Sequence, residues 1–354
     1  MVRFEHPRAR HPFHMHDMIR GQPAFVRETL EGLRHADART FLGTSRTLVV
    51  TGCGTSFHAA LIGARILQEA LGDATAVRAV HPYDLLHGYI LPANATVLGV
   101  SHSGATSTTN QALALARRSG VATRGLCGLP GTRMAEVAEE LLVTGSVHDH
   151  SWANTMSYTT QLAAFARLAE AVSEEPREMF PDGLDGLPAL LEETLACEAR
   201  VRRLAKRVAG HSRVTFLGSG LDEVTALEAA LKIRETCSFP ASGYHVEQFL
   251  HGPFLSLDRR DAVVALRSSD DDERETDILR GLAGTGAEVA VAGEAADVDI
   301  RLPAAPADLR PVLSIVPLQF LAYYAALERK ANPDVMRSDL ARYQPGLEPM
   351  FAAA

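Results

Sequence analysis

The sequence predicts an α/β protein built from two successive doubly wound domains, each a parallel sheet covered by helices on both faces. Three observations carry this. Short apolar runs such as Thr47–Gly52 (TLVVTG) and Arg213–Gly218 (RVTFLG) end in glycine turns and pass directly into helix-length patterns. The same strand–turn–helix order occurs twice, on either side of a charged, Pro- and Gly-rich stretch over 173–188. A length of 354 residues, 46% of them hydrophobic and 22% charged, suits two well-buried soluble cores. Strands that alternate with helices must pair in parallel, and right-handed crossovers then wind each half in both directions.

In order, the first half reads as a strand over Thr47–Gly52, a helix over 56–71, a strand over 96–100 and a helix reaching 118. Strands follow at 123–127 and 140–144, then a long apolar helix over 153–173. The second half gives a strand over Arg213–Gly218, a helix over 223–237, a turn-rich segment, and a strand over 262–266 ending in Ser268-Ser269-Asp270. A further strand at 288–292, a helix over 311–328 and a Pro-rich surface tail over 330–354 complete it. The division drawn from this is an N-terminal segment 1–20, a domain 21–180, a linker 181–198, a domain 199–335 and a tail 336–354.

Composition excludes several classes. A net charge of −8 argues against a nucleic-acid binder, which needs a basic face to neutralise phosphates. Cys53, Cys127, Cys197 and Cys237 are scattered without CxxC or finger spacing, which fits a reducing compartment and no structural zinc. The polar start has no apolar core of a secretory signal, and no apolar run of about 18 residues predicts a membrane span. His14 with His16, and His148 with His150 around Asp149, have short spacing but no third ligand, so they are read as solvent-exposed rather than as metal sites.

Two loops in the first half carry anion-binding chemistry. Cys53-Gly54-Thr55-Ser56 and Ser101-His102-Ser103-Gly104-Ala105-Thr106 each join a strand to a helix. Glycines allow the tight turn, a helix start offers free N–H groups, and the hydroxyls add donors. The alternative is ordinary Ser/Thr capping of two helices. Asn154-Thr155 opens the next helix as a cap and a candidate crevice lining. In the second half Lys232 and Glu235 are three residues apart on one helix face. On spacing alone they read as a surface ion pair, with Glu228 and Arg234 as solvated charges.

These motifs, taken in order, resemble the isomerase domain of glucosamine-6-phosphate synthase, a tandem of sugar isomerase (SIS) domains. The resemblance runs from MIRGQP at 18–23 through CGTS at 53–56, SHSGAT at 101–106, TTQL at 159–162 and FLGSG at 216–220. It continues with LEAALKIRE at 227–235, HGP at 251–253 and VPLQFLAYYAAL at 316–327. It implies two flavodoxin-like SIS domains with a C-terminal tail. Ser56, Ser101, His102, Ser103 and Thr106 would bind a sugar phosphate, with Cys53, Gly54, Thr55, Asn154 and Thr155 around it. Glu235 would move a proton between C1 and C2, Lys232 would support it, and His251 of a neighbouring subunit would open the ring.

The sequence departs from that pattern in five ways. No glutaminase domain or N-terminal cysteine nucleophile is read, so glutamine is not expected as direct nitrogen donor. Arg342 aligns with the lysine that forms an imine with the ketose, and arginine stays protonated. Met156 replaces a lysine and Ala105 a glutamate, and His102 stands where glutamine is usual. The expectation is a cytoplasmic homodimer acting on a phosphorylated sugar or amino sugar without metal or cofactor, nucleic acid or membrane. The activity is expected to be aldose–ketose isomerisation or amino-sugar-phosphate deamination. A fructosamine-phosphate deglycase and a non-enzymatic sugar-phosphate sensor are the alternatives.

Overall fold

A computed structural model describes residues 6–267, 273–295, 297–335, 337, 340–343 and 345. The chain packs as two units. The leading unit comprises Gly21–Asp149 and Met156–Pro188; the trailing unit takes residues 6–20, the short stretch His150–Thr155, and the described residues from Ala189 to 345.

Among the described residues, ten strands form two parallel sheets. The leading sheet contains β1 (Thr47–Gly52), β2 (Ala76–Ala79), β3 (Ala95–Ser101), β4 (Ala122–Cys127) and β5 (Glu140–Val143), in the order β2-β1-β3-β4-β5. Its central pair is in register from Thr47 opposite Ala95 to Gly52 opposite Val100. Every residue of β3 is buried, as a strand with helices on both faces requires. Val49, Val97, Leu113 and Met134 meet in one apolar cluster on one face of this sheet. The trailing sheet contains β6 (Arg213–Gly218), β7 (Ala241–His245), β8 (Asp261–Arg267), β9 (Glu288–Gly293) and β10 (Ile300–Arg301), in the order β10-β9-β8-β6-β7. Leu217, Phe249, Val263 and Ile278 anchor its apolar cluster.

In both sheets the strand order reverses beside the first strand, between β1 and β3 and again between β6 and β8. Crevices at such reversals, outside the carboxyl ends of the strands, are where doubly wound folds bind ligands. The same turn closes both first strands. Gly54 (φ 56°) and Gly220 (φ 57°) each stand immediately before a 17-residue helix, Thr55–Leu71 and Leu221–Cys237. Only glycine adopts that backbone without strain.

Several sequence expectations need correction. The turn-rich segment after Cys237 holds β7 and a short helix Val246–Phe249. β7 has no alternation to read, because four of its five residues are half-buried and pairing with β6 supplies its order. The edge strands β2 and β10 are too short to show a period. The long apolar helix begins at Met156 rather than 153, and the 173–188 stretch contains a one-turn helix, Pro176–Met179. Residues 6–20 are not a separate segment. Asp334 accepts the backbone N–H groups of His14 (2.9 Å) and Met15 (3.3 Å), and the Tyr323 hydroxyl accepts that of Phe13 (3.1 Å). His16 is not solvent-exposed either; its Nε2 lies 2.7 Å from Glu198. Ser268-Ser269-Asp270 and the whole of the tail beyond 345 lie outside the described residues.

Helix Arg310–Glu328 is long and apolar enough to cross a membrane, contrary to the reading of the sequence, yet 89% of its apolar window is buried inside the protein. It is a core helix, packed on Leu221–Cys237 and Glu198–Ala209. It meets Asp222 in the first turn of Leu221–Cys237, where the Ser314 hydroxyl donates to Asp222 Oδ1 at 3.1 Å. Burial pushes the Asp222 carboxyl up to about 6, and Arg310 and the Ser314 bond only partly oppose it. Folding therefore takes up a proton at this site, and the stability it confers is full below the ordinary value of 3.8 and lost as pH rises through about 6. Asp222→Asn is expected to stabilise the protein by about 2–3 kcal/mol at pH 8 and to have little effect near pH 3. Denaturant unfolding at both pH values checks this, and an equal effect at both contradicts it.

Candidate active site

The leading unit builds an anion cradle from two loops. After β1, the chain turns through Cys53 and Gly54 into the helix starting at Thr55. After β3, it turns through residues 102–106 into helix Ser107–Arg118. Ser101 is buried, and its hydroxyl lies 3.0 Å from the Thr106 hydroxyl and accepts the Gly104 N–H at 3.1 Å. Ser103 Oγ accepts the Ala105 N–H at 3.3 Å. A Cβ on Gly104 would stand 2.1 Å from Thr132 Oγ1, so the loop closes only with glycine there. Ser56 Oγ accepts from Gln161 Nε2 at 3.1 Å. Neither helix start has a side-chain cap. The hydroxyls that ordinary capping would consume are held instead by one another and by Gln161. Helix starts without a side-chain cap favour an anion through the positive end of the helix dipole.

His102 departs from both sequence readings of it. It is neither a partly exposed loop residue nor an open donor, being only 6% exposed. Its Nε2 accepts the Asp149 N–H at 2.9 Å, which places the ring proton on Nδ1. Burial lowers its pKa to about 4 despite the nearby Asp149 carboxylate, so the ring is neutral. The Asp149 carboxylate in turn accepts the Ser157 N–H and hydroxyl, both at 3.0 Å, in the first turn of Met156–Val172. Asp149, not Asn154, thus serves that helix start, and His102 ties the loop after β3 to it. His148 is also not solvent-exposed: its ring meets His102 edge-on at 5.5 Å between centroids. No group of three or more His, Cys, Asp or Glu side chains able to hold a metal occurs among the described residues.

The trailing unit holds the proton-transfer candidates. Lys232 is fully buried in helix Leu221–Cys237, with its ammonium 2.7 Å from Glu235 Oε2 and 3.1 Å from Glu228 Oε1. It also donates to the Ala153 carbonyl. This is not a surface ion pair. Glu228 is 0% exposed and Glu235 22%, because β6, β7 and helix Arg310–Glu328 pack against the helix and leave only the Glu235 end of the cluster partly open. Burial opposes the charge on Lys232, but Glu228 and Glu235 outweigh it and hold its pKa above the ordinary lysine value. The ammonium is therefore permanent. It fixes Glu235 as a partly exposed carboxylate able to take a proton from a carbon acid.

The other expected residues do not join this cluster. His251 is 70% exposed, its Nε2 3.9 Å from Glu247. Arg342 is exposed beside the Tyr343 ring. Thr155 is buried, and its carbonyl accepts from Gln319 Nε2 at 3.1 Å. Asn154 has φ 52° and bonds the Trp152 carbonyl at 3.3 Å. Sequence reasoning missed Glu228, Asp149 and Gln161. Glu228 had a signal, four residues before Lys232 on the same face; the other two are brought to the loops only by folding. Asp222 stands two residues after Gly220 as Ser56 does after Gly54. At this turn the trailing unit thus carries a buried acid where the leading unit carries a hydroxyl, so of the two matching turns only the leading unit's suits an anion.

The SIS domain family pattern matches residues 41–171 and 208–329. The chain is 33% identical over 351 residues to a glutamine–fructose-6-phosphate aminotransferase (isomerizing) of Gloeobacter violaceus, covering 90% of this chain and 56% of that protein. It thus spans about half the length of the curated relatives it matches. Its fold matches the C-terminal domain of glucosamine-fructose-6-phosphate aminotransferase from Francisella tularensis, with TM-score 0.81 and 20% identity over 91% of this chain and 97% of that one. It also matches tagatose-6-phosphate ketose/aldose isomerase from Escherichia coli, with TM-score 0.78 and 22% identity over 94% and 98%.

Removing the ammonium takes the buried Glu228 carboxylate's cation away. Lys232→Met is expected to cost about 3–5 kcal/mol of stability, and adding Glu228→Gln to recover much of it. Denaturant unfolding of both variants checks this; a double variant no more stable than the single one contradicts it.

Proposed function

The chain belongs to the SIS domain family, and on that premise we propose that it catalyses proton transfer between C1 and C2 of an open-chain sugar or amino-sugar phosphate. Glu235 is the base, and the loops at Cys53–Gly54–Thr55–Ser56 and at Ser101, Ser103 and Thr106 hold the phosphate. The observation that carries this reading is the pairing of Glu235 with a wholly buried, permanently charged Lys232. A base needs a carboxylate that stays ionised yet reaches substrate, and a neighbouring fixed cation with one partly exposed oxygen face meets both needs. The names of its relatives, an isomerizing aminotransferase and a ketose/aldose isomerase, agree with chemistry at C1 and C2.

Arg342 favours a particular branch. An arginine cannot form an imine with the ketose, so nitrogen would enter or leave as an amine already on the substrate or as free ammonia. That suits a deaminase or a fructosamine-phosphate deglycase beside a simple isomerase. We further propose a homodimer in which His251 serves a neighbouring subunit. His251 is 70% exposed and Leu255, four residues on, is 77% exposed, a pairing of imidazole and apolar side chain that a second copy would cover. A sugar-phosphate sensor would have no need of the charged triad of Glu228, Lys232 and Glu235 that the core holds at the cost of burial.

The reading is tested by proton NMR in D2O with fructose 6-phosphate, glucose 6-phosphate and glucosamine 6-phosphate, each with and without ammonium. Deuterium is expected at C1 or C2 of at least one sugar, and Glu235→Gln is expected to slow its entry by about 10²–10⁴-fold. Exchange that persists unchanged in Glu235→Gln contradicts the assignment of the base. Saturable binding without exchange favours the sensor.

A further inference from the structure

The trailing unit contains a cavity of about 630 Å³ that the proposed chemistry does not use. Pockets for small ligands run about 300–1,000 Å³. Its wall is built from the end of helix Leu187–Leu195, the first turn of helix Glu198–Ala209, and the residues that follow β9 and β10. Four charged side chains line it. Glu294 is occupied, lying 3.0 Å from Arg310. Among the described residues, Arg200, Arg301 and Glu193 have no hydrogen-bond or ion-pair partner for their charged groups. Two unpaired guanidinium groups against one unpaired carboxylate make the cavity cationic in a chain of net charge −8.

Its position is the second observation. Glu294 and Arg301 stand at the carboxyl ends of β9 and β10. Helix Glu198–Ala209 runs into the start of β6, so its first turn, with Arg200, lies at the same edge. That is the edge at which doubly wound sheets take ligands. Helix Leu221–Cys237 begins at the carboxyl end of β6 and runs away from it. Lys232 and Glu235 are therefore roughly 16–21 Å along that helix, towards the opposite edge of the sheet. The cavity and the proton-transfer cluster are separate places on one sheet.

We propose that this cavity is a second binding site, for a phosphomonoester of sugar size. Arg200 and Arg301 grip the phosphate, whose oxygens match the guanidinium fork, and Glu193 accepts from a hydroxyl or ammonium on the sugar. The buried Cys197 thiol in the wall takes no part; burial pushes it up to about 12. A site at the sheet edge opposite the chemistry is suited to sensing a phosphorylated substrate or product rather than transforming it.

Equilibrium dialysis with labelled glucose 6-phosphate tests this on three proteins: the native chain, Arg200→Gln/Arg301→Gln, and Thr106→Val. Both arginines are exposed, so the double variant is expected to keep its fold and melting temperature. The native chain is expected to bind two equivalents, and the double variant to lose one of them, weakened about tenfold or more. Inorganic phosphate should compete for the lost class and glucose should not. Thr106→Val should leave that class intact, so failure of the phosphate loops and failure of this site are told apart. A saturation curve unchanged in Arg200→Gln/Arg301→Gln, or displacement by glucose as effective as by its phosphate, overturns the proposal.

Discussion

A single buried ammonium constrains the trailing unit. Lys232 cannot be placed in an apolar core without compensation, since a desolvated charge costs several kcal/mol even after relaxation. Glu228, Glu235 and the Ala153 carbonyl are among the acceptors that meet it. Each demands something of the fold. Glu228 and Glu235 must be one turn to either side on the same helix. The stretch His150–Thr155 must group with this unit so that its carbonyl reaches the ammonium. The helix itself must be covered by β7 and by Arg310–Glu328, or water would compete for the charge. What results is one carboxylate fully sealed and another, Glu235, left partly open.

The leading unit solves a different electrostatic problem with neutral groups. Its two loops offer helix starts without side-chain caps and hydroxyls held in place by one another, so an anion meets donors already oriented. Holding such donors in advance removes ordering cost at the moment of binding. His102 illustrates how the loop is held. A glutamine there could turn towards a ligand; a neutral, buried histidine accepting from Asp149 cannot, and becomes a strut instead. The same supersecondary frame in the trailing unit has lost this use, with Asp222 at the place of Ser56.

Much of this was legible in the chain. The central strands, the long helices, the two loops and the fold class follow from apolar runs, glycines and order, because parallel sheets buried on both faces leave strong local signals. The family likeness pointed to Lys232 and Glu235. Their surroundings were hidden. The charges on helix Leu221–Cys237 read as solvated, yet Glu228 is buried, because helix Arg310–Glu328, some 80–90 residues further along the chain, packs over it. β7 and β2 have no period to read, being short edge strands. The N-terminal histidines look like a solvated tail until Tyr323, Asp334 and Glu198 close on them. In each case a long-range contact outweighed a local pattern.

The account rests on Lys232 remaining charged inside the protein. NMR of the Lys232 side chain, through its ζ nitrogen or ε carbon, across pH 6 to about 10 measures this directly. The structure predicts a protonated ammonium throughout that range, shifted by its carboxylate partners and not titrating. Titration of Lys232 near or below neutral pH would mean that burial outweighs Glu228 and Glu235, and the fixed cation on which the site is built would not exist.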